Sequence, residues 1–541
     1  MRSGATEHAA YEAHHGIGKV AACVLVGMMT IAAQAQIPQS PSSQLAQLKP
    51  LHLETALGQP GAPRAAIVAG PSLTDLAQRL AQQIKQTAGI ALPVIRDDEA
   101  VQTPGRYGHL IALGHFGCNR LLERLYFQWY AVVDGAQPGT GGWLLQTVHN
   151  PGGQGWNVII VGGSDEAGVA QAADRLVQVI RDHGLVLPRL HEVSLGQGRE
   201  AVLARGEQVI NPDRVWPTIH PMEVQQAIAE AGMLYVYTGQ ERFADAYKRQ
   251  LIGWLNRPDH YVLCSDDFYR TIIVWDLLEE SPVFDDAERL WITQRLLDTL
   301  RKEAAPYGQD ARSPNYNHDA FVQVKDQDLL RENHRARYAN SLYFGGRYFR
   351  DYYGLPEAKQ WMEDARAYWR PQMRSFAPQE ADLSIALITM TEATTFALAE
   401  NVRRYLSPQV LGRIADKGLM LMGSGSSLSP GETPFVMLCL SAYLFDKPEY
   451  LWPIYQRDPT MAPLRMIWRN SWELGRSFWD GTAPKRPDSV DWVQVMPLSE
   501  AYFRQAPAHG PRNIEASRSF DFVIFQSPAD EDGSAGEHLT L

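Results

Sequence analysis

The chain has 541 residues with a formal net charge of −11, and 45% of its residues are hydrophobic. This length is typical of about two to four globular domains, and the composition is that of a folded protein. The acidic balance argues against nucleic acid as a partner, because such binding needs a basic surface. It remains compatible with an anionic substrate wherever Arg residues are concentrated locally.

The N-terminal region carries the pattern of an export signal. Residues 20–33 are apolar and lead into a small-x-small cleavage pattern at Ala35. The apolar run is too short to span a bilayer, so 1–35 is predicted to be a signal peptide of a secreted or periplasmic protein. No integral membrane segment is expected after its removal. The Gln-, Pro- and Ser-rich residues 36–62 are predicted to form a linker.

Strand and helix patterns alternate over the next stretch of the chain. Two amphipathic segments, 72–88 and 164–183, are predicted helices that each begin at a Ser cap and end at a Gly. Alternation of strands and helices indicates an α/β domain over 63–200. The predicted strands are "PRAAIVAG", "ALPVIRD", "HLIALGHFG" and "GWNVIIVGG".

A Gly pair in "VIIVGGSDEAG" lies between a predicted strand and a predicted helix, as in nucleotide-binding turns. Neither GxGxxG nor GK[ST] is present, however. The pair is therefore predicted to be a structural turn that needs Gly for its backbone angles.

Helical patterns replace the strands over residues 210–480. Three segments share one format, in which an aromatic-rich helix end is followed by a tight turn and a helix bearing Trp. Their corners are Gly239, Gly354 and Lys447-Pro448. Repeated αα-hairpins can surround a central cleft, so an all-α (α/α) toroid is predicted, with an irregular helical domain as the alternative.

The C-terminal residues 481–541 contain one clear strand pattern, "SFDFVIFQ", followed by a polar stretch. A lone strand leaves its backbone groups unpaired, so it either pairs back onto the body or belongs to a β-domain. The extension is predicted to be the start of a truncated β-sandwich. The overall prediction is a multidomain protein with a small α/β domain, an (α/α) toroid and a short β segment.

Cysteine usage favours neither a disulfide framework nor a Cys-based zinc site. Once the leader is removed, Cys118, Cys264 and Cys439 remain, an odd number without CxxC spacing. No metal and no cofactor is predicted.

The first candidate site lies in "ENHRARYANSLYFGGRYF". On a helix, His334, Arg337 and Tyr338 share one face, and Asn333 lies about 100° away. Arg335 belongs to the same polar segment. The alternative is an ordinary helix start with a polar cap and a solvated Arg face.

Mid-helix glycines follow in the same segment. Gly345 and Gly346 each cost about 1 kcal/mol relative to Ala, so they are predicted to allow another backbone to come close.

A second polar group lies just upstream, in the loop pattern "SPNYNHDAF". The alternative is a turn in which Asn and Asp side chains cap the backbone. The group comprises Asn315, Tyr316, Asn317, His318 and Asp319.

Together these residue types match the requirements of polysaccharide β-elimination. Asn, His or Arg bound to a uronate carboxylate stabilises the charge that develops as the C5 proton leaves. Tyr or His can remove that proton and protonate the leaving oxygen. The 14 Trp, 22 Tyr and 17 Phe would suit a sugar-binding cleft, or simply a large helical core.

Hydrolysis would instead need two carboxyl groups across the scissile bond. Three acid pairs are present, and each is expected to be solvated surface. Glu380 also lies in a loop on a rim where substrate could pass. The pairs are Asp266-Asp267, Glu279-Glu280 and Glu380-Asp382.

Five features of the chain carry a resemblance to a known superfamily: the leader, the α/β segment, the helix "ENHRARYANSLYFGGRYF", the loop "GSGSSLSPGE" and the strand "FDFVIFQ". Together they resemble the heparinase II/III-like and alginate-lyase-like superfamily of (α/α)-toroid polysaccharide lyases. The resemblance implies that the α/β domain is a non-catalytic accessory domain and that the substrate is an acidic polysaccharide. It implies Asn333 and His334 as carboxylate or sugar contacts, with Tyr338 and His318 as base and acid candidates.

The remaining candidates are assigned to substrate binding. A toroid glycoside hydrolase and a non-catalytic glycan-binding protein are the alternatives to a lyase. The predicted substrate-binding residues are Arg337, Asn317, Tyr316, Arg335 and Glu380.

Overall fold

The structure is a computed structural model, and it describes the greater part of the two predicted domains. The predicted signal peptide lies outside the described residues. Those residues are 45, 47–197, 200–210, 221–256, 268–304, 333–373, 383–412, 415, 433–461, 475–486, 493–497, 520–526 and 538–540.

The first part of the chain forms an α/β domain, as predicted. Its helices are α1 Thr74–Ala88, α2 Asp97–Gln102, α3 Arg120–Phe127 and α4 Glu166–His183. Its strands are β1 Thr55–Ala56, β2 Gly58–Gln59, β3 Ala62–Pro63, β4 Ala65–Ala69, β5 Val94–Arg96, β6 His109–Gly114, β7 Trp143–Val148, β8 Val158–Gly163, β9 Val186–Leu187 and β10 His191–Ser194.

Six of these strands form the main sheet, in the order β10-β7-β8-β6-β4-β5. Strands β5, β4, β6 and β8 run parallel, whereas β7 is antiparallel to both of its neighbours. The four parallel strands were predicted from the sequence, and β7 was not.

Helices cover both faces of this sheet, which is why its central strands β4, β6 and β8 are largely apolar and buried. Ile67 and Ile111 belong to the core cluster beneath α1 and α4, and Val68 and Leu110 to the cluster that includes α3 residues. A parallel strand that is buried on both sides has a continuous apolar sequence, because neither face can carry polar residues in alternation.

The helix ends agree only partly with the prediction. Gly89 ends α1 in the left-handed region with φ 74°. The Ser caps, however, were wrong: a short 3₁₀ turn, Pro71–Leu73, precedes α1, and Asp165 caps α4 by accepting from Gly168 N. The Ser164 Oγ instead accepts from the backbone nitrogen of Gly139 at 2.9 Å, so it does not cap the helix.

The Gly pair after β8 is structural, but for a different reason from the one predicted. Gly163 does not adopt a positive φ. A Cβ added there would lie 2.5 Å from the backbone nitrogen of Val169. The glycine is needed because helix α4 approaches the strand closely.

The predicted linker was wrong for the part of 36–62 that is described. Lys49 is buried, β1 pairs with β9, and Leu57 N donates to Leu185 O at 2.8 Å. The Asn157 amide also donates to the carbonyls of His52 and Glu54. Backbone pairing and buried polar contacts thus fasten this segment to the folded body.

The second part of the chain is a helical domain. The turns at Gly239 and Gly354, with φ of 68° and 64°, confirm two predicted hairpin corners, and a 3₁₀ turn at Pro448–Leu451 forms the third. Among the described helices, none combines the length and apolar character that crossing a bilayer requires. The helices are α5 Glu200–Val209, α6 Pro221–Thr238, α7 Glu241–Leu255, α8 Phe268–Leu278, α9 Asp286–Glu303, α10 Asn333–Tyr353, α11 Pro356–Gln372, α12 Leu383–Glu400, α13 Thr433–Phe445 and α14 Trp452–Arg457.

Helices α8 and α10 are adjacent and run parallel. Tyr269 N donates to Ser341 Oγ at 3.1 Å, and further along Trp275 Nε1 donates to Tyr348 OH at 3.1 Å. The contacting residues advance in the same direction on both helices, so the intervening α9 carries the chain back.

Helices α10 and α12 repeat this relationship. Asn340 on α10 donates to the Glu392 side chain on α12, and further along the rings of Tyr343 and Phe396 are 4.9 Å apart. Helix α11 carries the chain back between them. Three neighbouring helices of the domain, α8, α10 and α12, are thus mutually parallel.

The predicted close approach of another backbone is confirmed at Gly346 of α10, whereas Gly345 is approached by side chains. A Cβ on Gly346 would lie 2.7 Å from Ala358 O in α11, and one on Gly345 would lie 2.5 Å from the Leu300 side chain in α9. The glycines let α10 pack tightly against both return helices.

The predicted strand near the C-terminus does not stand alone. It pairs antiparallel with a strand on each side, so the polar stretch after it contributes a strand that the sequence did not suggest. The strands are β11 Val493–Pro497, β12 Phe520–Gln526 and β13 His538–Thr540.

Candidate functional site

The predicted site residues on α10 lie where the helix begins. Arg337 and Tyr338 are buried, with 6% and 2% of their surface exposed. Asn333, His334 and Arg335 form the first turn of α10, and their side chains lie outside the described part of the structure.

The other predicted site residues lie in segments that the structure does not describe. These are the loop residues upstream of α10 and the acidic residue before α12, namely Tyr316, Asn317, His318 and Glu380.

Next to Arg337, the structure shows a buried carboxylate that sequence analysis missed. Glu392 of α12 is fully buried, and its Oε1 accepts a 3.1 Å hydrogen bond from the Tyr269 hydroxyl. Its Oε2 accepts from Asn340 Nδ2 at 2.7 Å, and Arg337 Nε lies 3.8 Å from Oε1. A buried carboxylate needs such partners, because leaving its charge unpaired would cost several kcal/mol, about 3–5 when a partner is removed.

A second guanidinium completes this group. Arg270 Nε donates to the Tyr269 hydroxyl at 3.2 Å. The phenol therefore accepts from a cation while it donates to a carboxylate, which orients its proton toward Glu392. We call these residues the Glu392 cluster: Tyr269, Arg270, Arg337, Asn340 and Glu392.

A sequence signal for this cluster does exist. Glu392 stands in "LSIALITMTEATTFALAE", where it is the one charged residue before the final Glu400. Glu is almost never fully buried unless it is paired. An isolated carboxylate inside an apolar helix therefore predicts a buried partner, although it does not say which residue that partner is.

A second buried group lies near the other ends of α8 and α10. The ammonium of Lys49 is 2.9 Å from Glu279 Oε2, 3.1 Å from Glu280 Oε1 and 3.6 Å from Asp276 Oδ1. It also lies 4.0 Å from the ring centre of Tyr352. The prediction that Glu279-Glu280 is solvated surface was wrong, because both side chains are buried against this lysine.

The pKa values in this group reflect competition between burial and charge. Burial raises the pKa of the Asp276 carboxyl to about 6, although Lys49 and Arg347 oppose the shift. Burial likewise raises the pKa of Glu279, with Lys49 again opposing it. For Lys49, burial alone would lower the pKa, but the three carboxylates outweigh it and hold the pKa well above its usual range.

A third location, the carboxyl edge of the parallel sheet, is where doubly wound folds bind ligands. In this protein residues 475–486 pack there: Gly135 N donates to Trp479 O at 2.7 Å, and a Cβ on Gly117 would lie 2.4 Å from the Asp480 side chain. The buried Arg476 guanidinium stacks 3.3 Å from the ring centre of Trp129. The protein's own chain thus occupies this edge.

No family model matches the chain, and no curated protein sequence matches it either. Within the described residues, no group of three His, Cys, Asp or Glu side chains is arranged to hold a metal ion. Cys118 and Cys439 are free thiols, and Cys264 lies outside the described residues.

Proposed function

We propose that this protein is a secreted polysaccharide lyase whose helical domain is an (α/α) toroid and whose substrate is a uronate-containing polysaccharide. The parallel course of α8, α10 and α12, with α9 and α11 returning between them, supports the toroid. Hairpins packed side by side in this way form an inner layer of parallel helices and an outer layer of return helices.

The observation that carries the proposal is the set of residues at the start of α10. Arg337 and Tyr338 follow Asn333 and His334 by one helical turn, and Arg337 belongs to the Glu392 cluster. Lyase chemistry needs a cationic or amide group for the uronate carboxylate, and a phenol or imidazole for the C5 proton. This short stretch of helix contains each of those groups.

The proposed mechanism assigns the roles as follows. Asn333 and His334 bind the uronate carboxylate and stabilise the charge that develops on it. Tyr338 and His318 act as base and acid, removing the C5 proton and protonating the leaving glycosidic oxygen. Arg337, held near Glu392 by its charge, contributes to substrate binding with Tyr316, Asn317, Arg335 and Glu380.

The experiment is an assay on a panel of polyuronates, with the ultraviolet absorbance of the unsaturated product as readout. We expect the wild type to form this product, and Tyr338→Phe and His334→Ala to abolish it. Tyr455→Phe, a partly exposed tyrosine on α14, is the control and should keep wild-type rates. Wild-type rates in both site variants would refute the assignment.

The same assay separates the alternatives. A glycoside hydrolase would release reducing ends without the double bond, and a glycan-binding protein would bind without turnover. The buried carboxylates Glu279 and Glu392 are both engaged by cations or hydrogen-bond donors within the protein. Neither therefore offers the free acid that hydrolysis across a cleft requires.

A further inference from the structure

The segment around Lys49 and β1 contacts both the α/β domain and the helical domain. We define the strap as residues 47–57. Its C-terminal half belongs to the α/β domain, where β1 pairs with β9 and the Asn157 amide donates to His52 O at 2.8 Å. Its N-terminal half reaches the helical domain, where Lys49 contacts Asp276 of α8 and the two acids that directly follow this helix, Glu279 and Glu280.

The place that Lys49 occupies is shaped for a primary ammonium group. An alkylammonium has three N–H donors, and three carboxylates face it, those of Asp276, Glu279 and Glu280. The ring of Tyr352 supplies a cation–π contact at 4.0 Å, and that of Tyr348 another at 5.2 Å. Both the acids and the rings thus favour a compact cation at this point.

Lys49 is the cation that lies closest to each of the three acids. Arg347 lies 3.9 Å from Asp276 and Arg289 lies 3.9 Å from Glu279, so two of the three acids have a distant guanidinium. Arg289 itself donates to Asp286 at 2.6 Å. The third positive charge comes from the strap. Without it, three buried carboxylates would face two cations, which is costly at low solvent exposure.

We propose that Asp276, Glu279 and Glu280 form a binding site for a primary alkylammonium group, which Lys49 of the strap occupies in the intact protein. The strap is then an intramolecular ligand that fastens the α/β domain to α8. Emptying the site by mutation leaves it able to take a free alkylammonium ion. This inference is independent of the proposed lyase activity.

The test is chemical rescue of Lys49→Ala by propylammonium, which replaces the missing part of the side chain. In Lys49→Ala we expect the strap amides to exchange with deuterium at least roughly tenfold faster than in the wild type, because a buried ion pair is lost. Propylammonium should slow this exchange and raise the melting temperature. Tetramethylammonium at equal concentration should do neither, since it has no N–H donor. Lys302→Ala, an exposed lysine on α9, should behave as the wild type throughout.

Wild-type exchange in Lys49→Ala, or equal effects of both cations, would overturn the proposal. If Lys49→Ala does not fold, Lys49→Met with and without Glu279→Gln provides the second test. Glu279→Gln removes the excess negative charge, so the double variant should be more stable than Lys49→Met alone. A double variant less stable than Lys49→Met would contradict the site.

Discussion

The Tyr269 hydroxyl donates to Glu392 Oε1 at 3.1 Å, and both side chains are completely buried. The two residues lie on different helices, α8 and α12, and α10 contributes Asn340 to the same carboxylate. Three helices therefore share one buried charge, and each must keep its position for that charge to remain paired.

Removing this hydroxyl should destabilise the helical domain. Tyr269→Phe leaves Glu392 with one donor fewer in a site without water access, so the free energy of unfolding should fall by about 1–3 kcal/mol. Chemical denaturation measures the change. The control Tyr455→Phe alters a partly exposed ring and should change the value by less than about 0.5 kcal/mol. Equal stability of the two variants would show that the Tyr269 bond contributes nothing.

Replacing Gly346 of α10 by Ala tests how closely this helix packs against α11. In Gly346→Ala the new Cβ would meet the backbone oxygen of Ala358 at 2.7 Å, so one helix must shift. We expect a loss of about 1–3 kcal/mol in the free energy of unfolding. The matched control, Gly253→Ala on α7, has no atom within 4 Å of its new Cβ and should instead stabilise by about 0.5–1 kcal/mol. A stabilising effect at both positions would contradict the close approach of α11.

The buried acids near Lys49 should make stability depend on pH. Because the folded-state pKa of Asp276 is raised to about 6, its contribution is present at low pH and is lost as the pH rises through about 6. Glu279 acts in the same direction, since its pKa is also raised. Lys49 stays charged over this whole range, because its pKa is held well above its usual value.

Lys49→Met removes the cation that opposes those upward shifts. Its melting temperature should therefore fall further below that of the wild type at pH 8 than at pH 5, where the acids can take up protons. Thermal unfolding of both proteins at the two pH values measures this, and a constant difference would count against it. The charged and titratable groups facing the site are Lys49, Asp276, Glu279, Glu280, Arg289, Arg347, Tyr348, Tyr352 and Tyr353.

Replacing the buried arginine at the sheet edge tests how residues 475–486 are held. Arg476 stacks on Trp129 and donates to the backbone carbonyl of Tyr126. Lys cannot reproduce the planar stacking, so Arg476→Lys should lower the free energy of unfolding by about 2 kcal/mol. It should also speed hydrogen exchange at Gly135, whose amide bonds Trp479 O. Arg486→Lys, at an exposed position, is the control, and unchanged exchange in Arg476→Lys would refute the role.

Features that depend on neighbouring residues were predictable from the sequence. The parallel strands were visible as continuous apolar runs. The end of α1 at Gly89 and the hairpin corners at Gly239 and Gly354 follow from the backbone freedom of glycine. The helix caps were less predictable from neighbouring residues. Asp165 rather than Ser164 caps α4, since the Ser164 oxygen accepts from the backbone nitrogen of Gly139 in a remote loop.

The candidate site was predictable only in part. The polar start of α10 is visible as a cluster of residue types, and Arg337 and Tyr338 lie on that helix as expected. Their neighbour Glu392 was missed because it lies on another helix, and sequence spacing carries no information about which helices pack together.

The sequence by itself thus determined the order of elements: a layer of alternating strands and helices, then a series of helical hairpins. Only the tertiary structure decided that a lysine in an apparent linker pairs with Glu279, and that Glu392 pairs with Tyr269 and Asn340. The physical reason is that secondary structure responds to backbone angles and periodicity over a few residues. The cost of burying a charge is offset by partners that are distant in the chain and come together only when the helices pack.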